Sequence, residues 1–222
     1  WDVVATNPDS STSTLAAAFT VITALWSETF DGTVNGWTIT PTTGSNTWTK
    51  VTTQAHTTPY AYFAPAPATA SVTNLDSPPV LIPGTATNLQ FSFWHWYNLE
   101  SSKDYGKLQF TLNAGTTWND IGSAGSTFAS NGYNSTVKVG NKFIPVWYGN
   151  SNGFVQSIVT LSGAGFPGAT LQWRWISTSN NKTASTGWWV DTCVLSGGGG
   201  AVQQAPVISS VHTSSIESVV DA

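Results

Sequence analysis

Between Asn88 and Glu100 apolar and polar positions alternate without a break. Leu89, Phe91, Phe93, His95 and Tyr97 fall on one side, and Gln90, Ser92, Trp94 and Trp96 on the other. A period of two is the mark of a strand with one face in a core. The first set reads as that core face. The second starts polar and ends in two tryptophans, so at that end it is covered or binds something. The alternation returns in Lys107 to Leu112, where Leu108, Phe110 and Leu112 share a face, and in Thr170 to Ile176. Val155 to Leu161 is a further strand. Gly187 to Leu195 is apolar on both faces, which predicts a strand in the middle of its sheet. Asn46 to Val51 and Tyr60 to Phe63 supply shorter strands.

Turn chemistry separates these runs. Asp31-Gly32 and Asn35-Gly36 are turn dipeptides. Asn113-Ala114-Gly115 joins Lys107–Leu112 to Thr116–Ile121 as a hairpin. Pro78, Pro79 and Pro83 confine Asp76 to Gly84 to an edge or a connection, because proline cannot donate to a ladder. Residues 122–152 are rich in Gly, Ser and Asn and read as a long loop carrying Phe128, Tyr133, Phe143, Trp147 and Tyr148. Loops of that length in compact domains are functional or inserted.

The ends read differently. Asn7-Pro8-Asp9-Ser10 is a turn between two β-like runs, which makes residues 1–25 a hairpin. Residues 26–197 form the main domain, 198–205 a Gly-rich linker, and 206–222 the opening of a following domain. The chain begins at Trp1, so it reads as a piece cut or processed from a longer protein.

Composition narrows the class. Charged residues make up 8% of the chain, against ~25% in ordinary soluble domains. Thr, Ser, Asn and Gly carry the polarity instead, a mix that suits pleated sheets and turns. Such a charge-poor β composition predicts a secreted or cell-surface protein. Seven Lys and Arg with a net charge of −4 leave no basic footprint for nucleic acid. No apolar run approaches the ~20 residues of a membrane span. Cys193 is the sole cysteine and reads as a small buried apolar residue.

A set of motifs resembles the MAM-like, concanavalin-type jelly-roll modules of bacterial secreted and surface proteins, including those attached to immune-inhibitor-A-type metallopeptidases. The residues that carry it are Glu28-Thr29-Phe30-Asp31-Gly32 with Gly36-Trp37, Phe93 to Tyr97 with Glu100, Asp104-Tyr105-Gly106-Lys107-Leu108, Thr111 to Ile121, Leu171 to Trp175, and Gly187-Trp188-Trp189-Val190-Asp191. The chain departs from the pattern at Thr192 and at Asn113-Ala114-Gly115, where such modules often carry more acidic residues. The resemblance implies an all-β, two-sheet antiparallel jelly-roll sandwich whose first and last strands pair. Residues 1–25 and 206–222 resemble fragments of immunoglobulin-like IPT/TIG domains, which implies neighbouring Ig-like domains in one longer chain.

Two constellations remain. The acidic residues suggest structural calcium, which takes 6–8 oxygens and which the resembled jelly rolls often hold. One grouping is Glu28, Asp31 and Asp191, the other Glu100 and Asp104. The plainer alternative has Asp191 capping backbone amides or pairing with Arg174. Most of the twelve tryptophans read as core filler between sheets. The loop aromatics Tyr133, Trp147 and Tyr148 are the candidates for stacking on sugar rings, with Trp118 and Trp189 behind them. His95 alternates with core residues and reads as a hydrogen-bonded core histidine. The catalytic sets are missing: no His-Glu-x-x-His, no Gly-x-Ser-x-Gly elbow, no placed pair of glycosidase carboxylates. The expectation is a non-catalytic structural or adhesion module, with binding of a polysaccharide or surface glycan as the alternative and a catalytic domain such as a glycoside hydrolase behind both. A row of exposed aromatics and amides on one sheet face would favour sugar, and a smooth Thr/Ser surface the structural role.

Overall fold

A computed structural model describes residues 3–6, 8, 10, 12–15 and 22–198. Strands β1 (Val3–Thr6) and β2 (Thr12–Leu15) pair antiparallel. The strands that follow are β3 (Thr23–Glu28), β4 (Thr38–Thr43), β5 (Thr49–Val51), β6 (Ala61–Ala66), β7 (Ser71–Asp76) and β8 (Val80–Leu81). Then come β9 (Thr87–Leu99), β10 (Tyr105–Thr111), β11 (Asn119–Asp120), β12 (Ser126–Ser130), β13 (Ser135–Val139) and β14 (Lys142–Val146). The last four are β15 (Gly149–Asn150), β16 (Val155–Leu161), β17 (Thr170–Ser179) and β18 (Ser185–Gly198). No helix occurs among the described residues, so none is long and apolar enough to cross a membrane.

The fold is all-β, with antiparallel sheets packed as a sandwich. One sheet runs β12-β16-β9-β18-β6-β5, with β15 also on β9 and β3 also on β18. The other runs β11-β10-β17-β7-β4, with β8 on β17. First and last strands of the sandwich pair, Glu28 opposite Cys193. Strand β3 begins at Thr23, ahead of the expected boundary at residue 26. Gly198, expected to open the linker, ends β18. The remainder of the expected linker and the opening of a following domain, residues 199–222, lie outside the described residues.

The alternation of β9 is realised as written: Leu89, Phe91, Phe93, His95, Tyr97 and Leu99 are buried. Phe91 stacks on Trp173 at 3.8 Å between ring centres, and Trp175 sets its edge against Phe93. Strand β18 lies between β9 and β6, as its apolar faces predict, and Trp188 and Cys193 are fully buried. The two sheets thus close over a layer of aromatic rings, the large apolar area that dominates the stability of such cores.

Residues 122–152 are not the open loop expected. Four short strands run through them. Asn150 pairs with Asn98 in the eight-stranded sheet, and Gly106 and Trp147 exchange backbone hydrogen bonds in both directions along β10. The segment therefore spans from one sheet to the other and seals that side of the sandwich.

Candidate functional site

The loop aromatics singled out in the sequence are largely structural. Trp147 is 1% exposed. Its ring meets Phe93, His95, Phe128, Tyr133 and Trp188, and its indole N–H donates to the Gly132 carbonyl at 2.8 Å. The Tyr133 hydroxyl accepts from the Leu108 N–H and donates to the Leu108 carbonyl. Burial drives the pKa of this phenol up. Only the Tyr148 hydroxyl reaches the surface, beside Ser102. The reason is the sealing role of residues 122–152, which draws Trp147 and Tyr133 into the gap between the sheets, while Phe143 on β14 stays outside it, 70% exposed.

The expected calcium groupings come out as follows. Asp191 Oδ2 accepts from the His56 and Thr57 N–H groups, and Oδ1 from the Thr192 N–H. Its oxygens thus hold the 52–60 segment and the bulge in β18, the amide-capping role of the plainer alternative. Burial raises its carboxyl, opposed by those three backbone donors. Glu28 accepts from the Phe30 N–H and Asp31 from the Tyr60 N–H. Among the described residues no three His, Cys, Asp or Glu side chains gather as a metal-holding group. At the β9–β10 turn, Asn180 ties the second grouping together, donating from its backbone to Asp104 Oδ1 and from its side chain to Glu100 Oε2. Asp104 is fully buried and its Oδ2 has no partner. Burial, then the Glu100 charge, push its carboxyl above the usual range.

The two outer faces of the sandwich differ. On the eight-stranded sheet Phe63, Trp189 and Trp96 are register neighbours on β6, β18 and β9. Phe63 stacks on Trp189 at 4.4 Å, Trp189 lies 5.6 Å from Trp96, and Phe154 closes on Trp96 at 5.9 Å. The 52–60 segment, tethered by Asp191, lays His56 flat on Trp94 at 3.8 Å. The ring faces here are spent on one another. Of the two possibilities raised by the tryptophans of β9, covering is the one realised for Trp94.

On the six-stranded sheet the outward positions are mostly polar, with Ile176 and Val72 among them, and lie in register. Thr38, Asp76, Arg174, Gln109 and Asp120 lie opposite one another on β4, β7, β17, β10 and β11. At about 4.8 Å between strands this row is roughly 19 Å long. A second row, Thr40, Asn74, Ile176 and Lys107, runs beside it. Asp76 takes Arg174 bidentately, Nε to Oδ1 at 2.7 Å and Nη2 to Oδ2 at 2.6 Å, which locks the guanidinium plane. Trp118, from the β10–β11 loop, lies with its ring 3.7 Å from that guanidinium carbon. Asp120 Oδ1 accepts from both Gln109 Nε2 at 2.7 Å and Lys107 Nζ at 2.8 Å. These bonds use Arg174 Nε and Nη2, Gln109 Nε2 and Asp120 Oδ1, and leave Arg174 Nη1, Gln109 Oε1 and Asp120 Oδ2 outside them. An aromatic ring, an oriented cation, an amide and a carboxylate thus share one face.

Sequence reasoning named Trp118 behind other residues and missed the row altogether. The available signal was the lone arginine, placed mid-strand at an outward position of Thr170 to Ile176.

No family profile matches the chain, and no curated protein matches it. Solved structures do resemble it. A CBM61 module in complex with β-1,4-galactotriose is 10% identical over 72% of this chain and 88% of that one, with a TM-score of 0.44. The CBM22-1 xylan-binding domain of Paenibacillus barcinonensis Xyn10C is 12% identical over 83% and 100%, at 0.47. The K3 cleaved adhesin domain of Lys-gingipain from Porphyromonas gingivalis is 17% identical over 79% and 99%, at 0.46. No site residue is carried over from them.

Proposed function

We propose that this chain is a non-catalytic carbohydrate-binding module of a secreted or surface protein, with its glycan lying across the outer face of the six-stranded sheet. Trp118 stacked on Arg174 carries this reading. The ring rests on a cation that Asp76 holds rigid, and it stays half-exposed beside Gly115, where the apolar face of a sugar ring can meet it. Preorganisation of that kind lowers the entropy lost on binding. Around the platform, Arg174 Nη1 donates while Gln109 Oε1 and Asp120 Oδ2 accept, the mixture that sugar hydroxyls need. The observation also separates this function from the structural or adhesion role: the face is a row of amide, charged and aromatic groups rather than a smooth Thr/Ser surface. The solved neighbours named for xylan and galactotriose bind ligands of the same class, at a similarity that adds no weight.

The test is titration of the whole chain with soluble polysaccharides, followed by calorimetry. Saturable binding that Trp118→Ala weakens at least tenfold, with Tm unchanged, supports the reading. Binding untouched by Trp118→Ala moves the site elsewhere, and no binding to any glycan rejects it.

A further inference from the structure

The charges on the binding face cancel in pairs, and the pairing is asymmetric. Arg174 is neutralised by Asp76 in a two-pronged bond; the side chains are 21% and 11% exposed. Lys107 is neutralised by Asp120, but here the cation lies beneath and the anion above. The Lys107 side chain is 9% exposed and that of Asp120 46%. Both Lys107 Nζ and Gln109 Nε2 converge on Oδ1 of Asp120. Its other oxygen is therefore the charged atom this end of the row presents to a ligand. An arriving carboxylate or sulfate meets that oxygen before it reaches either cation, and each cation already holds a carboxylate.

Resting on the function proposed above, we infer that the site selects uncharged glycan chains and that Asp120 is the residue that excludes acidic ones. The oxygen at Oδ2 accepts a hydrogen bond from a neutral sugar's hydroxyl and repels a uronate at the same position. Removing that charge does more than end the repulsion. It leaves Lys107, which now has its counter-ion, as an unpaired cation at the floor of the row.

The experiment compares two probes on the intact chain: a neutral β-1,4-linked polymer such as xylan or galactan, and an acidic one such as polygalacturonate. Wild type binds the neutral probe with an affinity that changes less than twofold between 50 mM and 500 mM NaCl, and binds the acidic one at least tenfold more weakly. Asp120→Asn weakens neutral binding and strengthens acidic binding, so the preference narrows or reverses. The gained binding disappears in 500 mM NaCl, because exposed charge pairs are screened over a few ångströms at that ionic strength. Adding Lys107→Met to Asp120→Asn abolishes the gain, which ties it to that cation. Asp120 is half exposed, and unchanged Tm of the single variant checks that the fold survives. Equal or tighter binding of the acidic probe by wild type overturns the inference while leaving the glycan function standing. An Asp120→Asn variant that keeps the wild-type preference overturns the role of Asp120. Failure of wild type to bind either of these probes or any other polysaccharide of the titration rejects the function itself, and the inference with it.

Discussion

The indole N–H of Trp188 donates to Nδ1 of His95 at 3.1 Å, in the middle of the aromatic core. That bond decides the tautomer. With Nδ1 an acceptor, the proton sits on Nε2 and donates to Ser157 Oγ at 2.9 Å, which in turn donates to the Asn131 carbonyl at 2.6 Å. A polar chain thus crosses a layer of tryptophans with each of its donors and acceptors matched, the condition under which a buried polar group is tolerated.

A neutral imidazole held in this way makes the fold sensitive to acid. Burial lowers the His95 pKa from 6.5 to about 3. Its contribution to stability is complete above pH 6.5 and is lost as pH falls towards 3, because the unfolded chain takes up a proton that the folded chain refuses. The loss is roughly 1.4 kcal/mol per pH unit below 6 from this group alone. Urea unfolding of wild type and His95→Gln at pH 7, 6, 5 and 4 measures it: the wild-type curve falls more steeply between 6 and 4. Parallel curves for the two proteins would remove His95 as the cause.

Trp118 and Trp147 trade the roles that loop position suggests for them. Trp147→Ala empties a cavity between the sheets and costs about 3–5 kcal/mol of stability. Trp118→Ala costs less than about 1 kcal/mol, as surface changes do, and weakens glycan binding. Thermal melts beside binding titrations on the two variants check the contrast. A stable Trp147→Ala that fails to bind would restore the loop aromatic as the platform.

Asp104 holds a charge in a poor place. Its folded pKa lies above the unfolded value, so the group favours the fold below the ordinary carboxylate range, and that contribution is lost as pH rises through the folded pKa. Asp104→Asn keeps an acceptor for the Asn180 N–H and removes the charge beside Glu100. In EDTA at pH 7 it raises Tm by about 2–4 °C, equivalent to ~1 kcal/mol for a chain of this size. If millimolar Ca²⁺ raises the wild-type Tm and not that of the variant, Glu100 and Asp104 are instead holding a cation.

Gly106 marks a close approach of backbone to ring at the sealed edge. A Cβ placed there lies 2.8 Å from the ring of Trp188, which is fully buried and has nowhere to move. Gly106→Ala destabilises by about 1–3 kcal/mol through overpacking, read as a lower urea midpoint with an unchanged slope. A midpoint equal to wild type would show that the ring can shift aside.

Much of the fold was legible in the residues because period-two alternation reports directly which side of a strand is buried. The core face of β9, the place of His95 in it, the central position of β18 and the β10–β11 hairpin all follow from local pattern and turn chemistry. The binding face did not. Arg174 and Asp76 meet across 98 residues, and the row from Asp76 to Asp120 exists only because β7, β17, β10 and β11 become neighbours in that order. Alternation says that a side chain points outward; it says nothing about which outward side chain of which strand will stand opposite. The aromatics failed for a related reason. A tryptophan in a Gly- and Ser-rich stretch looks exposed until the stretch is laid across the gap between two sheets. The sequence by itself determined the strands and their buried sides, whereas the pairing of distant strands decided which residues form a site.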